Sequence, residues 1–164
     1  MICIGGIVFN LCKQKAPGKE VIGISGAGNF TRGKLLPELK KLNANVKCIS
    51  SETGLSASLL AKKFGIEFAA SGFENVLGDG EINSVFVMTP HHLHAEQTVA
   101  ALKAGKNVFV EKPLAVNTEQ LDTIIKEYAQ GEGSVMVGFN RRFSPYSIKA
   151  KKLLNNFKPE VYPC

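Results

Sequence analysis

Six short apolar runs recur along the chain, near positions 21–25, 46–50, 67–70, 85–88, 108–111 and 135–138. Four or five consecutive residues rich in Val, Ile and Phe are too few for a buried helix and predict strands covered on both faces. Between and after them, apolar residues recur at helical spacing over 30–42, 56–64, 73–77, 94–104, 118–128 and 145–155. Gly65 and Gly105 stand where the second and fourth helical patterns stop, and Asn117-Thr118-Glu119-Gln120 is a polar start for the fifth. Pro37 falls inside the first pattern and predicts a bend or a late helix start. Strand followed by helix, repeated, specifies an α/β fold: a doubly wound parallel sheet with right-handed crossovers. No solenoid repeat or low-complexity tract interrupts it.

The first strand runs into a glycine turn, Val21-Ile22-Gly23-Ile24-Ser25-Gly26-Ala27-Gly28-Asn29-Phe30-Thr31. Gly26 permits the tight turn and Gly28 lets the backbone approach a pyrophosphate, which would rest on the helix start at Asn29 and Phe30. A Gly-x-Gly by itself fits an ordinary tight turn as well as a cofactor site. Thr31 replaces the third glycine of the dinucleotide fingerprint, so looser strand–helix packing is expected there.

Two further segments end strands at the same sheet edge, where ligands bind in open α/β folds. Met88-Thr89-Pro90-His91-His92-Leu93-His94 follows the fourth strand, with His94 expected to begin the next helix. The three histidines lack a carboxylate or Cys at ligand spacing, so no metal is expected. Glu111-Lys112-Pro113 ends the fifth strand. A Lys in a cleft can orient a substrate oxygen or pass its proton, whereas a surface Lys would simply pair with Glu111. Pro113 allows a cis bond that would turn Lys112 into the cleft.

Composition narrows the partners. A chain of 164 residues with 45% hydrophobic content buries one sizeable core. The net charge of +6 suits an anionic cofactor, although a solvated basic surface accounts for most of the lysines. No basic run interleaved with aromatics points to nucleic acid. Cys3, Cys12, Cys48 and Cys164 are scattered, as in a reducing, cytoplasmic compartment. The apolar stretch 1–11 is broken by Gly5 and Gly6, and its basic residues Lys13 and Lys15 follow it. It is neither a signal peptide nor a membrane span and reads as an arm that packs on this domain, another subunit or an upstream domain.

Gly26-Ala27-Gly28-Asn29-Phe30, Thr89-Pro90-His91-His92-Leu93-His94, Glu111-Lys112-Pro113 and Val137-Gly138-Phe139-Asn140-Arg141-Arg142-Phe143, in that order and spacing, resemble the amino-terminal half of the Gfo/Idh/MocA oxidoreductases. The resemblance spans 20–146 and implies a Rossmann domain over 20–143, with 1–19 as an arm and 144–164 as the crossover into a substrate domain that the chain lacks. It also implies that Lys112 lies at the active site beside the nicotinamide and Arg142 near the cofactor. Ser51-Glu52-Thr53-Gly54-Leu55-Ser56, with the Asn-Arg-Arg-Phe run, is similar to a subgroup fused to a zinc-type alcohol dehydrogenase module.

Cofactor choice is read where the second strand ends, about 20 residues past the glycines, by an acidic side chain on the ribose. Ser50 and Ser51 stand there, Arg32 is near the turn, and Glu52 comes one or two places late. The balance favours NADP over NAD. The expected cofactor contacts are Gly26, Gly28, Asn29, Phe30, Ser50, Ser51, Thr89, Pro90, His94, Glu111, Lys112 and Arg142, with Lys112 also catalytic. Three functions fit these residues: the cofactor domain of a dehydrogenase acting on a sugar, cyclitol or related alcohol, a non-catalytic nicotinamide-binding or dimerisation module, and a structural remnant with an empty cleft. A homo-oligomer is expected, and the isolated chain is expected to bind cofactor without turnover.

Overall fold

The computed structural model describes residues 2–4, 7–9 and 20–154. Strands β1 (Ile2–Ile4) and β2 (Ile7–Phe9) pair antiparallel in a small sheet of their own, Ile2 opposite Phe9. What the expected arm packs against, and the tail beyond Leu154, lie outside the described residues.

The main sheet has six parallel strands: β3 (Val21–Ser25), β4 (Asn45–Ser51), β5 (Phe68–Ser71), β6 (Ser84–Val87), β7 (Asn107–Glu111) and β8 (Val135–Gly138). Their order, β5-β4-β3-β6-β7-β8, reverses between β3 and β6. The connecting helices are α1 (Leu36–Lys41), α2 (Leu55–Phe64), α3 (Glu74–Gly78), α4 (His91–Lys103) and α5 (Thr118–Gln130), and α6 (Pro145–Leu154) follows β8. This is the doubly wound arrangement that the strand–helix alternation predicts.

The alternation of side chains along each strand builds two cores. Ile22, Ile24 and Ile49 pack with Leu36 and Leu39 of α1 and Leu60 of α2. Val85, Val87, Val108, Val110 and Val135 pack on the opposite face with Leu102 of α4 and Ile124 of α5. Each fully buried Ile or Val adds roughly 1.5–3 kcal/mol relative to exposure, so the central strands, apolar on both faces, anchor the sheet.

Helix boundaries follow local chemistry. The Asn117 side chain accepts from the Gln120 N–H at 2.9 Å while Gln120 Oε1 accepts from the Val116 N–H at 3.0 Å, a reciprocal cap that starts α5. Gly65, at φ +72°, ends α2 in the left-handed conformation that a side chain disfavours. Pro37 acts in an unexpected way. The first helix begins at Asn29, as the pattern predicts, but passes through a π-helical turn, Thr31–Leu35, with the Leu36 N–H bonded to the Thr31 carbonyl. Pro37 has no N–H to continue the regular ladder, and the wider turn shifts the register just before it. α4 begins at His91 rather than His94, because the extended backbone of Pro90 (φ −59°, ψ 150°) already presents the first turn.

Among the described residues no helix is long and apolar enough to cross a membrane.

Candidate functional site: a glycine turn facing two strand-end loops

The glycine turn is locked into the sheet. Gly26 has φ +109°, and a Cβ placed on it would stand 2.5 Å from the Met88 carbonyl oxygen. Its N–H donates to the Ser50 carbonyl at 2.9 Å. Thr31 does not loosen the packing as expected: it is buried, and its hydroxyl donates to the Gly26 carbonyl at 2.8 Å, closing the turn from inside the helix.

Gly28 is the opposite case. It is exposed, and a Cβ there would meet nothing within 4 Å. Open space above the first turn of a helix, whose leading N–H groups at Asn29 and Phe30 have no intrahelical partner, fits a phosphate. The turn sits at the carboxyl end of β3, beside the point where strand order reverses. The residues present therefore fit a dinucleotide. Arg32 Nη2 donates to Asn29 Oδ1 at 2.9 Å, keeping a guanidinium on the same turn.

At the end of β4 the structure separates the two serines. Ser50 is buried, with its hydroxyl 3.4 Å from the Ile24 carbonyl, so the expected ribose contact from its side chain is corrected: it faces the sheet interior. Ser51 is half-buried, and its Oγ accepts from the Ala57 N–H at 3.3 Å, while Glu52 stands exposed next to it.

Across the cleft, Thr89 and Pro90 follow β6, and Lys112 follows β7. The Lys112–Pro113 bond is cis. Lys112 is exposed, and its neighbour Glu111 is engaged elsewhere: Oε1 accepts from Asn140 Nδ2 at 3.0 Å and Oε2 from the Lys112 backbone N–H at 3.2 Å. The simple surface pair of Lys112 with Glu111 is not what forms. Asn140, which the sequence reading passed over as a site residue, fixes Glu111, and the only hint was its place at the head of the Asn-Arg-Arg-Phe run.

Arg142 lies over the rings of Phe139 and Phe143, 5.6 and 5.5 Å from their centroids, in the 3₁₀ segment Asn140–Phe143. A cavity of about 250 Å³ connects Phe30 of the glycine turn with Phe109, Glu111, Phe139 and Arg142. The structure thus brings Phe30, Glu111 and Arg142 together although more than a hundred residues separate the first from the last.

His94 is the second correction. It is fully buried, with Nε2 2.8 Å from the Thr89 carbonyl and Nδ1 2.7 Å from the Pro113 carbonyl, so it touches the two loops and not the cleft. Gln97, one turn further along α4 and also missed, accepts from the Thr89 hydroxyl at 3.1 Å. Its spacing of three from His94 was the available signal. Among the described residues no group of three or more His, Cys, Asp or Glu is placed to hold a metal.

Lys106, Lys47 and Asp79 lie toward the amino edge of the sheet, away from this cleft. Lys106, buried, donates from Nζ to the carbonyls of Asp79 and Ile82 at 2.9 and 2.7 Å, and burial lowers its pKa. Lys47 bridges Asp79 and Glu81 at 2.7 and 2.8 Å; hydrogen bonding to them raises the lysine and holds the Asp79 carboxyl below its ordinary range. Burial pushes the Cys48 thiol up. Lys106 and Lys47 pin the loop before β6.

The chain belongs to the Gfo/Idh/MocA oxidoreductase family: residues 21–139 match the family model for the NAD-binding Rossmann fold. Myo-inositol 2-dehydrogenase of Thermotoga maritima is 33% identical over 137 residues, covering 82% of this chain and 40% of that protein. KijD10, a 3-ketoreductase from Actinomadura kijaniata crystallised with TDP-benzene and NADP, superposes with a TM-score of 0.77 at 26% identity, over 85% of this chain and 44% of that one. A levoglucosan dehydrogenase complexed with NADH and levoglucosan gives 0.72 at 30% identity, over 84% and 39%. The chain spans 35–40% of the length of the first curated relatives it matches. It is an NAD(P)-binding domain, and the similar solved structures include complexes with NADP and with NADH.

Proposed function

We propose that this domain serves an oxidoreductase that moves hydride between a nicotinamide cofactor and a sugar, cyclitol or related alcohol. The observation that carries the reading is the open space over Gly28 at the strand-order reversal, on the same carboxyl edge of the sheet as the Lys112 loop. Gly26 sets the turn, its own N–H being held by the Ser50 carbonyl, and Gly28, Asn29 and Phe30 hold the pyrophosphate on backbone N–H groups. Ser51, flanked by Glu52 and with Arg32 near, meets the adenosine ribose, an environment that favours NADP over NAD. Thr89, Pro90, Glu111 and Arg142 border the nicotinamide end. The bound cofactor accepts or gives up a hydride; Lys112 orients the substrate oxygen and holds or passes its proton. Polyol and sugar names among the relatives support the substrate class.

On this reading 20–143 is the dinucleotide domain, 144–164 leads toward a substrate domain, and 1–19 is an arm or the remnant of an upstream module, such as the zinc-type alcohol dehydrogenase module of the similar subgroup. Hydride transfer needs the substrate held in near-attack geometry as well as a proton acceptor, and these residues supply the cofactor side alone. A polypeptide of these 164 residues therefore binds cofactor without turnover.

A second reading, a nicotinamide-binding or dimerisation module without catalysis, is favoured by one observation: Met136, Phe139, Phe143 and Ile148 form exposed apolar surface on β8 and the segments after it. Self-association through that surface fits either reading.

Titration calorimetry with NAD(H) and NADP(H), run beside cofactor-reduction assays on polyols and sugars, tests both readings. Binding without turnover supports the cofactor domain. No binding defeats the cofactor domain and the nicotinamide-binding form of the second reading, leaving only dimerisation. Turnover that disappears in Lys112→Ala shows that these residues suffice as an enzyme.

A further inference from the structure

We propose that His94 is a positioning residue that clamps the two loops bordering the nicotinamide end, donating a hydrogen bond from each ring nitrogen; the loops' role rests on the functional reading above.

The ring is fully buried between two backbone carbonyls, Thr89 O at 2.8 Å from Nε2 and Pro113 O at 2.7 Å from Nδ1. A carbonyl oxygen can only accept. A neutral imidazole offers one N–H and one lone pair, so one of these short contacts would set lone pair against lone pair. Both are attractive only when both nitrogens carry protons. A histidine that merely filled the core would need one acceptor, and one held ready for a metal would need a free nitrogen. His94 has neither arrangement.

The two carbonyls belong to different loops. Thr89 O lies just past β6 and Pro113 O just past β7, adjacent strands with Val87 opposite Val110. One loop carries Thr89 and Pro90, the other Glu111 and Lys112, so the ring joins the two loops from beneath. α4 grips the first loop again through Gln97, which accepts from the Thr89 hydroxyl at 3.1 Å. The Leu93 N–H also donates to the Pro90 carbonyl at 3.0 Å. Because His94 holds main-chain atoms, the separation of Pro90 from Lys112 is fixed before any ligand arrives.

Two measurements on the full chain test this. In a ¹⁵N spectrum of the histidine rings, the His94 signals, identified by their loss in His94→Phe, should show two ring N–H groups protected from exchange. A ring with one bare nitrogen overturns the clamp. The second measurement compares the dinucleotide that the parent prefers with its adenosine-diphosphoribose fragment, which lacks the nicotinamide. His94→Phe keeps the ring's bulk and removes both donors. It should bind the fragment like the parent but the whole dinucleotide at least about tenfold more weakly, the scale of one or two lost hydrogen bonds. Equal losses for both molecules, or no loss for either, overturn the positioning role. A parent that binds neither molecule contradicts the dinucleotide reading instead, and the ring spectrum alone then decides whether the clamp exists.

Discussion

Gly26 packs so closely against Met88 that a single added methyl would lie 2.5 Å from the Met88 carbonyl oxygen, while the same methyl on Gly28 would meet open space. The two glycines of one turn thus answer to different constraints, the first to the fold and the second to a ligand. Gly26→Ala is expected to destabilise the domain by about 2 kcal/mol or more, from the clash and the positive φ together. Gly28→Val should leave the melting temperature nearly unchanged and weaken dinucleotide binding by at least about tenfold, roughly 1.4 kcal/mol. Thermal unfolding and calorimetry on the pair check this, and a Gly28→Val domain that binds like the parent would place the phosphate site elsewhere.

Ser51 caps α2 through its hydroxyl, and an Asp in its place keeps an acceptor for the Ala57 N–H. Ser51→Asp should therefore fold normally and shift the NADP-to-NAD affinity ratio toward NAD by about tenfold through repulsion of the 2′-phosphate. The ratio, measured by titration with both cofactors, is the test. A parent that already prefers NAD by more than about tenfold would mean that Glu52 reads the ribose.

Lys106 joins the start of β7 to the loop before β6 by two hydrogen bonds from a buried ammonium. Lys106→Met replaces most of the aliphatic stem and leaves the carbonyls of Asp79 and Ile82 without that donor, a loss of about 1–3 kcal/mol. Chemical denaturation should show it as a lower midpoint with an unchanged slope. Cofactor affinity should not move, since this edge of the sheet is remote from the cleft.

The Lys47–Asp79 pair gives stability a defined pH dependence. The folded pKa of Asp79 is depressed, so its contribution is fully present above the ordinary carboxylate value of about 3.9 and is lost as pH falls through the lower, folded value. Stability curves between neutral and acid pH should fall less steeply for Asp79→Asn than for the parent. An unchanged slope would show that the pair carries no linkage.

The alternation of apolar runs and helical patterns determined the doubly wound sheet, because period and length are local properties that six strands repeat. The Asn117 cap and the Gly65 stop were legible for the same reason: each depends on a few neighbouring residues. The glycine turn, Lys112 and Arg142 were visible as motifs, yet which of their neighbours face the cleft was not. Ser50 and Ser51 are adjacent in sequence, and only the pleat of β4 decides that the first turns inward to Ile24 and the second outward to α2. Pro37 announced a disturbance, but its form as a π turn depended on the ladder around it. His94 read as a helix start. Its grip on Thr89 and Pro113 exists because the crossover sets β6 and β7 side by side with α4 beneath their ends, and a contact between carbonyls 24 residues apart is a property of that packing, not of any local pattern.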